Sequence, residues 1–341
     1  MFKSLKRREL IIRIFSLIGL TIGAALVMMP LVWMLLSSLK PPEQGNKMPP
    51  EWLPRSAEKV TINGKSLFVY AMPVDGQIKN LALLSKQGAM GTFIDPLNPQ
   101  NTYQLTVNEG ERVTQIAPRW QNYVEAMTKV PFGRYLLNTL IVVVFGTIGT
   151  VVSCIMVAYG FSRFRAKGLN WLFLVVLATI MLPAQVTLIP TFIIFKAIGW
   201  YDTLLPLIVP AFFANAWDIF LFRQFFMSLP LELDDAAKID GAGPLQTLWY
   251  IILPQAKPVI ITVTIFSILY AWNDFFAPLI YLQSEKNWTI SLGLQMFNAI
   301  YRNNDALLLA ASVVTLVPVV ILFFVAQKYF IQGTVVSGIK G

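Results

Sequence analysis

Ser228-Leu-Pro-Leu-Glu-Leu-Asp-Asp-Ala-Ala-Lys-Ile-Asp-Gly-Ala-Gly-Pro-Leu-Gln-Thr-Leu-Trp-Tyr-Ile-Ile-Leu-Pro254 lies between two long apolar runs. Its residues spell a short helix, a glycine break and a second short helix. Ser228 is placed to cap the first helix, and Pro230 fits its opening turn. Glu232, Asp234 and Asp235 fall near the positive end of that helix dipole. Gly241 suits the left-handed position that stops a helix; Pro244 restarts the chain as helix and Pro254 ends it. So short a first helix is unstable alone in water and needs a surface to pack on. Ala236 and Ala237 give it a small-residue face that another backbone can approach closely.

Outward from this loop the chain is apolar. Of 341 residues, 56% are hydrophobic and only 13% charged, whereas a soluble domain carries about a quarter charged residues. Apolar stretches recur at 10–39, 135–159, 170–195, 203–222, 258–282 and 306–330, each near the ~20 residues that cross a bilayer. The expectation is an all-α polytopic membrane protein with six transmembrane helices. An even count puts both termini on one side. Arg163, Arg165 and Lys167, after the second span, and Lys3, Lys6, Arg7 and Arg8 at the start mark that side as cytoplasmic. The first apolar run is too long for a signal peptide and no small-residue cleavage site follows it. Prolines recur in the spans (Pro30, Pro183, Pro190, Pro206, Pro210, Pro278, Pro318). Each is tolerable where neighbours re-satisfy the backbone, and as a set they suit kinked helices lining a pathway.

Residues 41–130 differ. They are polar, rich in proline at their entry, and between Lys40 and Lys129 hold ten Lys/Arg against eight Asp/Glu. Lys59 to Tyr70 reads as two strands around an Asn63-Gly64 turn, and Thr102–Val107 as another strand. This is a small, mostly β, extracytoplasmic insertion between the first two spans. Residues 1–40 then hold the N-terminus and first span. Residues 131–341 hold the remaining five, with the cytoplasmic loop at 228–257.

The absence of histidine excludes a Ser-His-Asp triad and any His-ligated metal, and the single Cys154 cannot form an internal disulfide. The net charge of +9 speaks for membrane orientation and not for nucleic acid.

Asp235-Ala236-Ala237, three residues, Gly241, nine residues, then Ile251-Ile-Leu253-Pro254 resembles the EAA loop of ABC importer permeases. Only Asp235 departs, standing where the family usually has glutamate. Leu182-Pro183, Ile198-Gly-Trp-Tyr-Asp-Thr203, Leu229-Pro-Leu-Glu-Leu233, Trp272-Asn-Asp-Phe-Phe-Ala-Pro-Leu-Ile-Tyr281 and the tail from Gln332 to Gly341 look like its carbohydrate branch, the maltose-transporter type. The likeness is loose over Met1–Lys40, close over Asn122–Gly341, and absent from about Arg55 to Pro118. It implies a type I ABC importer fold in a prokaryotic cytoplasmic (inner) membrane. It also implies partners: a second homologous permease, two ATP-binding subunits, an extracytoplasmic substrate-binding protein and membrane lipid. Asp235, Ala236, Ala237 and Gly241 would dock the ATPase, with Ile251, Leu253 and Pro254 fixing the return into the membrane. No G-x-x-x-x-G-K-[ST] phosphate loop occurs in the chain. It is therefore expected to bind no cofactor and to be no enzyme, with ATP and Mg held by the partner ATPase subunits.

Polar groups inside spans are costly and therefore suggest function. Asp274, with Asn273 and Trp272, offers donors, acceptors and an apolar face for a sugar; alternatively these residues fix helix packing. Gln185 is a further pathway residue or a helix bridge. Asp218 and Arg223 are badly spaced to pair, so Arg223 is expected to snorkel. Two other classes compete: an ATP-independent secondary transporter, which calls for an inverted repeat and intramembrane ion sites, and a non-transport scaffold acting through its external domain.

Overall fold

The computed structural model describes residues 2–45, 50–62, 64–74, 76–300 and 304–337; the side chains of 2–9, 43, 45, 184, 185, 300 and 328–337 lie outside that description. Asn63 and the tail residues 338–341 also fall outside it. The chain divides into two compact units, Met1–Ala126 with Tyr301–Val313, and Met127–Ile300 with Val314–Gly341.

The first unit begins with α1 (Phe2–Ser38) and α2 (Pro42–Gly45), followed by β1 (Arg55–Ala57), β2 (Lys59–Ile62), β3 (Lys65–Val74), β4 (Gln77–Gln87), β5 (Met90–Ile94), β6 (Thr102–Thr106), β7 (Glu111–Arg112) and β8 (Thr114–Ile116), then α3 (Gln121–Thr128). Strands β2 to β6 form an antiparallel meander, and β7 pairs β3 at Tyr70 and Ala71, beyond the stretch paired with β2. Ile62 faces Lys65 across the first turn, the two-residue hairpin that Asn63-Gly64 predicts. Alternate residues point to opposite faces of a strand, and both faces are covered. Tyr70, Met72, Leu81 and Phe93 form one cluster, and Leu67, Ala82 and Ile94 belong to another.

The second unit is helical: α4 (Phe132–Arg163), α5 (Leu169–Ala178), α6 (Ala184–Ala197), α7 (Leu205–Ile208), α8 (Ala216–Ser228), α9 (Glu232–Ile239), α10 (Pro244–Thr247), α11 (Leu253–Gln255), α12 (Lys257–Asn273), α13 (Phe276–Tyr281) and α14 (Ile290–Ile300). A last helix, α15 (Asp305–Ser337), runs through both sequence partitions. Helix α4 is the centre of the second unit. Its Cys154, Ile155 and Ala158 pack with Ile219, Phe222 and Phe226 of α8 and Val259 and Val263 of α12.

Four helical stretches among the described residues are long and apolar enough to cross a membrane: Leu10–Ser38, Phe132–Arg163, Leu205–Ser228 and Asp305–Gln327. Two bent pairs raise the number to as many as six. The run at 170–195 is not one rod, because it bends by 96° between Met181 and Val186. Leu182 is extended there (ψ 117°), as the residue before a proline prefers, and Pro183 precedes the new helix. The run at 203–222 is also irregular. A 3-10 turn at Val209–Phe213 and Ala214 at φ +58° precede α8, which continues to Ser228. The run at 258–282 breaks at Asp274 and Phe275, and the segment between it and the last apolar run contains α14.

Candidate functional site

The loop between α8 and α12 is built by short-range rules, with two departures from expectation. Ser228 does not cap the helix that follows: it closes α8, donating its hydroxyl to the Phe225 carbonyl at 2.7 Å. Leu229 is extended (ψ 139°), as the residue before Pro230 prefers, so α9 begins only after Leu231 and Pro230 lies outside it. The acidic first turn of α9 holds Glu232, Asp234 and Asp235 as expected. Gly241 sits at φ +78°. Its N–H donates to Lys238 C=O (3.1 Å), and that of Ala242 donates to Ala237 C=O (2.9 Å). This paired closure of the last turn is favoured by glycine at the left-handed position. The Gln246 side chain accepts from the Gly243 N–H at 2.7 Å and opens α10.

Pro254 does not end the second helix. A π-turn at Leu248–Ile252 precedes it, in which Leu253 N–H reaches back to Leu248 C=O, and α11 carries Pro254 inside its first turn. The bend of 83° into α12 falls at Ala256 instead.

Helix α9 has two faces. Ala237 is 2% exposed and Leu233 and Asp234 are half-buried, whereas Asp235, Ala236 and Ile239 are exposed. The two alanines therefore part company, Ala237 against its own bundle and Ala236 to the outside. The fastening is an ion pair. Arg163, at the last turn of α4, has a side chain only 4% exposed and places Nη1 3.3 Å from Asp234 Oδ2. Its Nη2 donates to Leu229 C=O at 3.2 Å. Leu248 and Ile252 are fully buried in the cluster around Phe222 and Phe226. What remains outward is Asp235, Ala236 and Gly241 with a row of exposed apolar side chains, Ile239, Leu245, Trp249 and Tyr250. Ile251 is half-buried, Leu253 buried and Pro254 exposed. In the sequence Arg163 marks the cytoplasmic side and Asp234 complements a helix dipole; the fold brings the two together.

A second polar group sits where α12 breaks. Asp274 Oδ1 accepts from Phe276 N–H (3.1 Å) and Ala277 N–H (3.2 Å) and so caps α13. The Ser291 hydroxyl donates to the Asp274 carbonyl. Asn273 is exposed and donates to Leu269 C=O at 2.8 Å. Trp272 is 5% exposed and packs inside the bundle. The side chain of Gln185 lies outside the described residues. Asp218 and Arg223 do not pair: Asp218 bonds Asn215, while Arg223 lies over the Phe173 ring at 4.1 Å.

The opposite end of α4 is also tied down. Tyr135 donates to Glu285 Oε1 (2.7 Å), and Asn138 donates to the carbonyls of Lys286 and Trp288, both 2.9 Å. Helix α4 has 32 residues, about 48 Å at ~1.5 Å per residue. Asp202, at φ +57°, accepts from Gln283 N–H (2.9 Å), Ser284 N–H (2.8 Å) and the Ser284 hydroxyl. Partial burial alone raises its pKa, but these donors outweigh it and hold the carboxyl at about 2. In the first unit, a cleft of about 270 Å³ is lined by Arg55, Lys59, Arg112, Arg119 and Phe68, among others.

Comparison with known proteins gives a consistent result. Residues 149–336 match a family described as binding-protein-dependent transport system inner membrane component. The chain is 33% identical over 222 residues to the probable ABC transporter permease protein YurM of Bacillus subtilis, covering 65% of this chain and 74% of that one. It is 34% identical over 208 residues to the arabinooligosaccharides transport system permease protein AraQ of the same organism (61% and 74%). It is 33% identical over 211 residues to the sn-glycerol-3-phosphate transport system permease protein UgpE of Yersinia pestis (61% and 74%). Its fold resembles a chain in the crystal structure of a bacterial ABC transporter that imports the acidic polysaccharide alginate. The TM-score is 0.65 at 21% identity, with 93% of this chain and 97% of that one covered.

Proposed function

The chain belongs to the family of binding-protein-dependent transport system inner membrane components, and from that membership we propose that it is one of two permease subunits of an ABC importer for a sugar or oligosaccharide. Permeases of this family are transport components and not ATPases. In our reading two separate ATP-binding subunits supply the energy with ATP and Mg, and a second homologous permease forms the other half of the pathway. A substrate-binding protein delivers the cargo, in keeping with the family's description. The arabinooligosaccharide relatives favour a saccharide substrate.

The observation that carries this reading is the build of the α9–α10 loop. It is fastened from behind by the Arg163–Asp234 pair and by buried Leu248 and Ile252. In front it presents Asp235 and Ala236 beside exposed Ile239, Trp249 and Tyr250. A surface both rigidly backed and apolar in front suits a gripping partner, with Ala237 and Gly241 shaping the helix and its turn. Ile251, Leu253 and Pro254 carry the chain back to α12. In the proposed topology the four long stretches and two bent pairs make six spans with both termini cytoplasmic. The loop then faces the ATPase and residues 41–130 face outward. Trp272, Asn273, Asp274 and Gln185 stand near the substrate pathway, and the basic cleft of the insertion helps dock the binding protein.

The test is purification in gentle detergent of the native chain and of Gly241→Asp. At φ +78° a side chain costs about 1 kcal/mol, enough to distort the turn without preventing membrane insertion. The expected result is that an ATP-binding subunit, a second permease and a binding protein accompany the native chain, and that the variant inserts but loses the ATP-binding subunit. Full uptake reconstituted from this polypeptide alone, or unchanged co-purification and transport with Gly241→Asp, would overturn the proposal.

A further inference from the structure

A separate cleft of about 550 Å³ opens between the end of α4, the start of α5 and the end of α8. Three cations line it, Arg165, Lys167 and Arg223, and among the described residues no acidic side chain does. Arg165 and Lys167 are exposed, and among the described residues neither has a carboxylate partner. Arg223 is held in place: its Nε donates to Phe161 C=O at 3.3 Å and its guanidinium lies on Phe173. Gly168, at φ +87°, turns the chain so that α5 starts without a side-chain cap. Leu169 and Asn170 line the cleft, so the partly positive end of a helix forms part of its wall.

The rim has the opposite character. Phe164 and Met227, which border the cleft, are exposed, and α5 continues with exposed Trp171, Leu172 and Leu174. Cations at the mouth of an apolar face are what a membrane–water boundary selects. A soluble anion would use only the cations. A phospholipid uses both surfaces, its phosphate among Arg165, Lys167 and Arg223 and its acyl chains along α5.

We propose that this cleft binds the headgroup phosphate of an anionic phospholipid. The inference needs only that the chain is an inner-membrane protein; it does not depend on the ATPase reading or on which side the loop faces. The test uses the purified full chain incubated with equimolar phosphatidylglycerol and phosphatidylcholine, with retained lipid identified by native mass spectrometry. The native chain should retain phosphatidylglycerol preferentially. A basic side chain near an anionic headgroup contributes roughly fivefold, so Arg165→Gln/Lys167→Gln, both at exposed positions, should cut that preference by about 25-fold. Arg134→Gln, remote in sequence from the cleft, should leave it unchanged. Equal retention of the two lipids by the native chain would overturn the proposal, as would an unaltered preference in the double variant. Displacement by millimolar inorganic phosphate as effective as that by phosphatidylglycerol would assign the cleft to a free anion instead. No partner subunit enters these measurements, so their failure is separable from failure of the importer reading.

Discussion

Asp234→Asn isolates the fastening of the loop. The Arg163 side chain is 4% exposed and its Nε has no partner. With the negative charge gone, the guanidinium keeps the Leu229 carbonyl at 3.2 Å and faces a neutral amide in place of its counter-ion. Removing one member of a buried ion pair costs about 3–5 kcal/mol, whereas replacing both by apolar groups of similar volume is often neutral. The cost falls on the attachment of α9 to α4, because the spans are held by separate apolar packing. Amide hydrogen exchange reports such local opening. A loss of about 3 kcal/mol corresponds to exchange faster by roughly 150-fold in the amides of Asp235 to Ile239, with α4 and α12 unchanged. Arg163→Met/Asp234→Leu should restore slow exchange. If the single variant exchanges within about fivefold of the native chain, or the double variant exchanges as fast as the single, the pair is not what seats the helix.

Asp202 gives a pH dependence. Its folded pKa of about 2 lies below the ordinary 3.8. The tie to residues 283 and 284 is therefore complete above about pH 4 and is lost as pH falls through 2. Cleavage by pepsin within 283–289 should rise over that window in the native chain, and Asp202→Asn, which cannot ionise, should show no such acid step. Asp274 separates two roles: asparagine caps a helix as well as aspartate does, so Asp274→Asn keeps α13 while removing charge. Transport falling with the fold intact places the carboxylate on the substrate path, and undiminished transport assigns it to capping alone. For the insertion, a photocrosslinker at Arg112 should capture the substrate-loaded binding protein, and no adduct in the assembled complex would count against docking at that cleft.

Local rules carried much of the fold. The hairpin register at Ile62 and Lys65, strand 102–106, the acidic first turn of α9 and the left-handed Gly241 all follow from residues within a few positions of one another. Misses arose where the deciding interaction is distant or where two local rules compete. Ser228 is a good N-cap type, yet the extended Leu229 before Pro230 moves the helix start beyond it. Pro254 reads as a terminator, but the π-turn before it lets the chain continue to Gln255. Helix α14, eleven residues long, is shorter than any span and its apolar pattern was lost between charged flanks. The pairing of Arg163 with Asp234 joins parts of the chain that periodicity cannot relate. So does Gly293, where a Cβ would come within 2.3 Å of the Tyr135 ring.

Helix α4 is gripped at both tips, by Asp234 near its last residue and by Glu285, Lys286 and Trp288 near its first. A bar clamped this way cannot absorb a shove by fraying. A load on either tip is therefore met by side chains already in contact, while the neighbouring helices, bent near Pro183 and at Ala256, offer the chain its changes of direction.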